Sequence, residues 1–177
     1  MIVDTITKQP SEEFSFGVLY DPSMADGEYI DTAKVTASLE DDQDSDQTAA
    51  VLDNIGGPPP DADLVEGTAT AGGSNYLEDS AINFSIAGVR PGLKMLNETK
   101  NFVVVIKTIE QTAAGWTRVT FEDAPRDTEI GDQYRFLFAK ARLKGGVDGQ
   151  NYRVTYLVTT SESRVFEDDL IMKVRQV

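Results

Sequence analysis

The stretch Asn151-Tyr152-Arg153-Val154-Thr155-Tyr156-Leu157-Val158-Thr159-Thr160 decides the fold. Tyr152, Val154, Tyr156 and Val158 fall on one side of an extended chain, and Arg153, Thr155 and Thr159 fall on the other. Side chains alternate across a strand, so a period of two predicts a strand with one buried face. Ser161-Glu162-Ser163 turns the chain, after which Leu170, Met172 and Val174 alternate with Lys173 and Arg175. The tail is therefore a hairpin of two long strands, and its apolar face needs a second layer to cover it. Just upstream, Asp148-Gly149-Gln150-Asn151 sets Tyr152 at the start of the penultimate strand. Immunoglobulin-like sandwiches place a tyrosine there whose hydroxyl bonds the backbone a few residues back. Gly149 and Tyr152 are accordingly read as structural residues of that corner.

Working outward, the front of the chain supplies the covering strands. Phe14, Phe16, Val18 and Tyr20 share a face, as do Ala33, Val35, Ala37 and Leu39, and Ala49–Ile55 is a third apolar stretch read as a strand. Asp21-Pro22 and Asp26-Gly27 mark the turn between the first two. Gly56-Gly57-Pro58-Pro59-Pro60 is the strongest break, because prolines donate no ladder hydrogen bonds and favour extended geometry. Beyond it come short segments spaced by turns. Gly72-Gly73-Ser74 is a turn, and Asp79–Ile86 reads as a helical turn capped by Asp79 or Ser80. Phe102–Ile106 reads as a strand buried on both sides, and Ala114-Gly115 as a hairpin turn into Trp116–Phe121. Tyr134, Phe136 and Phe138 then alternate, with no breaker before Leu143, so one strand runs on into the tail. The expectation is an all-β chain. Residues 1–61 and 141–177 form an immunoglobulin-like β-sandwich, interrupted by an inserted small β-barrel-like module at 62–140.

Composition narrows the chemistry. Of 177 residues 40% are hydrophobic, enough for a core. Thirty acids against sixteen bases give a net charge of −14, a surface that repels nucleic acid and anionic membranes. Neither is expected as a partner. Cysteine and histidine are both absent, which removes disulfides, thiolate metal sites and the histidine-based catalytic devices. The first fourteen residues carry Asp4, Glu12 and Glu13 and no apolar core, unlike a signal peptide. The longest apolar run, Phe102–Ile106, is far short of the ~20 residues a membrane helix needs.

Candidate sites were weighed on spacing. Asp42, Asp44 and Asp46 have the alternate-aspartate spacing of a calcium loop, with Asp53 at the twelfth position. Gln47 stands where such a loop needs glycine, so a solvated acidic loop is the preferred reading. Glu28, Glu40, Asp61, Asp63, Glu122 and Asp123 could supply a glycosidase pair, but no spacing selects two of them. Ala71-Gly72-Gly73 lacks the lysine of a phosphate loop. Arg118 and Arg135 alternate out of their strands; a clamp on neighbouring acids is one reading, and surface solvation is the preferred one. Trp116 follows a turn glycine and is a candidate interface anchor, with packing inside the barrel as the equal alternative. No catalytic residue and no cofactor is expected.

One pattern is familiar. Gly145-Gly146-Val147-Asp148-Gly149-Gln150-Asn151-Tyr152-Arg153-Val154-Thr155, with Thr159-Thr160 and Val174-Arg175, resembles the C-terminal half of phage fiber-tail adaptors. Ile6-Thr7-Lys8-Gln9-Pro10 and Tyr20–Ile30, with Ala25-Asp26-Gly27-Glu28, resemble their N-terminal half. The segments Gly67-Thr68-Ala69-Thr70, Asp79-Ser80 with Phe84, Gly88-Val89-Arg90-Pro91-Gly92, Val119-Thr120-Phe121 and Gly131-Asp132-Gln133-Tyr134-Arg135-Phe136 resemble a module recurrent in phage tail and neck proteins. The resemblance implies a non-enzymatic virion component made in the host bacterial cytoplasm. It would be a connector in the neck or tail, joining head to tail or fiber to tail. Implied partners are portal, tail, fiber or capsid proteins, contacted as a ring-like or symmetric oligomer. A capsid decoration (cement) protein is the alternative, and a carbohydrate-binding part of a receptor-binding apparatus is a third.

Overall fold

The computed structural model describes residues 2–20, 24–25, 28–53, 63–115, 117–121 and 126–176. The turns at Asp21-Pro22 and Asp26-Gly27, the triple proline and Trp116 lie outside the described residues. Twelve strands and one single-turn helix occur among those described, and the protein is an all-β sandwich. By backbone proximity the chain divides into two units. One comprises 1–18, 30–63 and 139–177, the other 19–29 and 64–138.

In the first unit, β1 (Ile2–Lys8), β12 (Val165–Val174), β11 (Asn151–Thr160) and β3 (Ile30–Leu39) lie in that order in one sheet. The hairpin β11–β12 is in register from Asn151↔Lys173 to Thr159↔Val165 with no shift. Its turn bonds Thr160 N to Arg164 O at 2.9 Å. Register is pinned because a one-residue slip would turn the whole apolar face outward. Tyr152, Val154, Tyr156 and Val158 are buried, as are Leu170, Met172 and Val174 opposite and Ala33, Val35 and Ala37 on β3. Each fully buried valine, leucine or methionine among them contributes about 1.5–3 kcal/mol. The covering layer comes from β2 (Phe14–Leu19) and the C-terminal part of β10 (Gln133–Leu143), whose Ala139, Ala141 and Leu143 are buried. The Tyr156 hydroxyl donates to the Phe16 carbonyl at 3.0 Å, so the one polar atom of that ring is satisfied across the layers.

Two features of this unit differ from the sequence expectation. The stretch read as a third strand begins instead as the helical turn α1 (Thr48–Val51), and among its described residues Leu52 alone bridges, to Leu143. Asp46 Oδ1 accepts from Thr48 N at 3.0 Å, and Leu52 N reaches Thr48 O at 2.9 Å, which closes the turn. An Ala-Ala-Val-Leu run is ambiguous between helix and strand by periodicity alone, and two alanines favour the helix. The second difference is β1, which pairs in parallel with β12 from Asp4↔Leu170 to Lys8↔Val174.

The second unit carries β4 (Asp63–Thr68), β5 (Ala71–Gly73), β6 (Tyr76–Asp79), β7 (Lys94–Asn97), β8 (Phe102–Gln111) and β9 (Thr117–Phe121) with the first part of β10. The ladder runs β10-β7-β8-β9-β6-β5, and β4 pairs β10. Its core gathers Leu77, Phe84, Met95, Val104, Ile106, Val119, Tyr134 and Phe136, among others. Phe84 meets Tyr134 edge-on and lies tilted against Phe136, each at 5.8 Å between centroids. Asp79 ends β6, its Oδ1 accepting from Ala81 N at 2.7 Å, and the turn that follows is closed by Ala87 N bonding Asn83 O at 2.8 Å. On β8, Val104 and Ile106 are buried, while Val103 and Val105 are half-buried. Residues 19–29, assigned from sequence to the sandwich, group with this unit. Tyr20 N donates to Leu137 O at 3.3 Å, and the Arg135 guanidinium lies 4.7 Å from the Tyr29 ring centre. Strand β10 is continuous through Phe138 and Ala139, where the two units divide.

Candidate docking surface

The connection from β10 to β11 is the most heavily tied loop. Val147 N donates to the Tyr152 hydroxyl at 2.9 Å, five residues upstream of a ring that is 1% exposed. Gly149 has φ +86°, a backbone that L side chains avoid, and its N donates to Val174 O at 3.0 Å. Val174 N returns a bond to Gln150 O at 3.0 Å. The ammonium of Lys8, itself 2% exposed, donates to Gln9 O at 2.7 Å and Gly145 O at 2.6 Å. Burial pulls the pKa of that ammonium below its usual value, and Glu12 and Glu13 push it back up. Arg175 Nη2 reaches Asn151 Oδ1 at 2.6 Å. The loop thus fastens the ends of β1, β11 and β12 together, and its chemistry is structural.

The acidic loop 40–47 is different. Asp42 and Asp44 are exposed. The Asp46 carboxyl is held below the usual range by hydrogen bonds from Thr48. Asp53 lies 3.5 Å from both Arg142 Nε and Lys144 Nζ, so its carboxylate faces two cations. Among the described residues no three acidic groups gather within reach of one metal ion. The loop borders a groove of about 680 Å³ on the outer face of the four-stranded sheet, lined by Thr36, Asp44, Asp46, Arg153, Glu167 and Asp169 among others. On its floor Asp169 accepts from Arg153 Nη1 at 2.8 Å and from Thr155 Oγ1 at 2.7 Å. A groove of this make-up favours cationic groups and has no aromatic platform for a sugar ring among its lining residues.

The other residues weighed from sequence fall apart in space. Glu28 is buried in the second unit, where Ala25 N donates to it at 2.7 Å. Glu40 sits in the first unit and accepts from Asn151 Nδ2 at 2.8 Å. Asp61, Glu122, Asp123 and Trp116 lie outside the described residues, as does the side chain of Asp63. Arg118 and Arg135, read from sequence as solvated, clamp acids instead. Arg118 grips Glu78, its direct cross-strand neighbour, and lies 4.2 Å over the Tyr76 ring. Arg135 Nε sits 3.0 Å from Glu98 and 3.1 Å from Glu66. Period two shows that such side chains leave the core; only the register shows which acids await them. Strand β1 was missed altogether, although Ile2, Val3, Thr5, Ile6 and Thr7 are all β-branched and so favour a strand.

Residues 106–173 match the family model of the podophage GP4 fiber-tail adaptor protein gp77. The matched stretch runs from within β8 through β9, β10 and β11 into β12, crossing the point at residue 140 where the sequence reading set a module boundary. No curated protein matches the chain. The chain resembles a phage fiber-tail adaptor.

Proposed function

We propose that this chain, with its likeness to the podophage fiber-tail adaptor over five consecutive strands, is a structural connector of a phage virion. It stands in the neck or tail and joins head to tail or fiber to tail through protein–protein contacts. The match over residues 106–173 carries this reading. Physical support comes from the fold. The polar groups with the most elaborate partners are spent on loop anchoring and on cross-strand clamps, which is the use a scaffold makes of them. The chain works as one copy in a ring-like or symmetric assembly, made in the cytoplasm of the bacterial host. The −14 charge steers it to basic surfaces on portal, tail or capsid neighbours, with an association rate that falls as salt rises.

Removing the gene from its phage tests this. The expected result is filled heads and few infectious particles, with tails or fibers missing. Complete, infectious particles with fragile capsids would replace the connector with a cement protein. Glycan binding on a screening array would favour a receptor-binding part instead.

A further inference from the structure

Among the described residues the outer edge of β1 in the first unit is bare, and its polarity is fixed by hydrogen bonding. In a parallel ladder every second residue bonds the neighbouring strand, and the residues between point their N–H and C=O the other way. Lys8 O accepts from Arg175 N at 2.9 Å, and Lys8 is in register with Val174. Lys8, Ile6 and Asp4 therefore face β12, and Thr5 and Thr7 present their backbone outward. Both threonines are exposed. The Thr5 N–H is taken by the Asp4 side chain at 2.7 Å. The Thr5 carbonyl and both backbone groups of Thr7 have no partner among the described residues.

Other strand edges are occupied at several points. At β3, Ala37 O accepts from Gln47 N at 2.8 Å and Ala37 N donates to Thr48 Oγ1 at 3.0 Å. Further along that strand Val35 is 1% and Ala33 4% exposed, so its outer backbone is closed off. At β5, Gly73 O and N are bonded by Thr128 N at 3.2 Å and Thr128 Oγ1 at 3.3 Å. At β2 the Phe16 carbonyl is used by Tyr156, and Gly17 offers no side chain to pack. An uncovered edge is a template for another strand.

We infer that the outer edge of β1, at Thr5 and Thr7, receives an extended, basic segment of a neighbouring virion protein, which adds as a fifth strand to the sheet β1-β12-β11-β3. The occupant is basic because exposed Asp4 lies on the strand, exposed Glu12 lies in the turn after it, and the whole chain carries −14. Self-pairing at this edge would set the Asp4 and Glu12 of one copy near those of the other, which disfavours it. The inference rests on the connector reading and names where that connector is gripped.

Two variants assembled into phage particles test it. Thr7→Pro deletes one outward N–H and no bond to β12, because proline is tolerated on the open side of an edge strand. It is expected to keep the circular dichroism spectrum and melting midpoint of the parent, yet to fall at least ten-fold in copies per particle. Thr7→Cys creates the chain's sole thiol. A thiol-to-amine cross-linker on those particles is expected to join it to a lysine in a Lys/Arg-rich segment of a different virion protein. Thr7→Pro entering particles at the parent's level overturns the inference, as does a cross-link only to another copy of this chain or to an acidic segment. Loss of fold in Thr7→Pro also overturns it, since the N–H would then have a partner inside the chain. Absence of the unsubstituted chain from particles overturns the connector reading itself, and the inference with it.

Discussion

The two units reach stability by different means. Of the ten polar or charged residues recorded as buried among those described, seven belong to the second unit: Glu28, Glu78, Asp79, Asn97, Thr117, Thr128 and Asp132. The first has Lys8, Thr160 and Asp169. Long strands, strictly alternating in β11, let the first unit fill its interior with aliphatic and tyrosine side chains. Apart from β8 and the first part of β10, the second is built of strands of three to six residues around one aromatic cluster, which leaves many loop ends to satisfy, and buried side chains do it. Asp79 accepts from the Tyr134 hydroxyl at 2.7 Å and from Ala81 N. Asp132 accepts from Asn97 Nδ2 at 2.8 Å and Glu129 N at 3.0 Å. A buried polar network is costly to break because each lost partner strands another group.

The comparison breaks first at Asp79. Asp79→Ala strands the Tyr134 hydroxyl and the Ala81 N–H, and should cost about 3 kcal/mol in urea denaturation. A loss no greater than that of an exposed alanine substitution would mean that the network does not hold the second unit. Alkaline pH sharpens the contrast next. Burial, then the hydrogen bond to Asp79, hold the Tyr134 pKa far above its usual value; burial alone does the same for Tyr156 in the first unit. Unfolded tyrosine releases its proton near pH 10. The stabilisation is therefore complete below that pH, and it is lost as pH rises, because the unfolded state then binds fewer protons. Each tyrosine should contribute a fall of about 1.4 kcal/mol per pH unit above 10. Tyr134→Phe and Tyr156→Phe should each flatten the stability curve by one proton.

Smaller effects belong to the loop of the first unit. Tyr152→Phe removes the acceptor of the Val147 N–H and should cost about 1–2 kcal/mol. Gly149→Ala meets no neighbour within 4 Å, so it should cost only the left-handed backbone strain, about 1 kcal/mol. Asp44→Ala should leave the melting midpoint unchanged, and calorimetry with millimolar calcium should show little heat. Saturable micromolar binding would restore Asp42, Asp44, Asp46 and Asp53 as a cation site.

The same contrast explains what could be read from sequence. Tyr152–Val158 and Leu170–Val174 announce themselves because each inward residue is apolar and most outward ones, Leu157 and Ile171 excepted, are polar. Tyr152 carried a further signal, its place after Asp148-Gly149. The polar network of the second unit left no such trace. Asp79 was legible only as a turn cap, and Arg118 only as a side chain leaving the core, because the partners Tyr134 and Glu78 are set by strand register. The spacing of Asp42, Asp44, Asp46 and Asp53 suggested one site. In space Asp46 ties down the turn at Thr48 while Asp53 turns to Arg142 and Lys144. Strand β1 escaped notice because, among its described side chains, the exposed ones are polar and the most buried is a lysine.

The most direct test of the connector account is the copy number of this chain in purified virions, measured by quantitative mass spectrometry. A connector occupies one symmetric ring or a set of fiber bases, so the account predicts a fixed number on the order of tens or fewer per particle. A number on the order of hundreds, scaling with the capsid lattice, would contradict it.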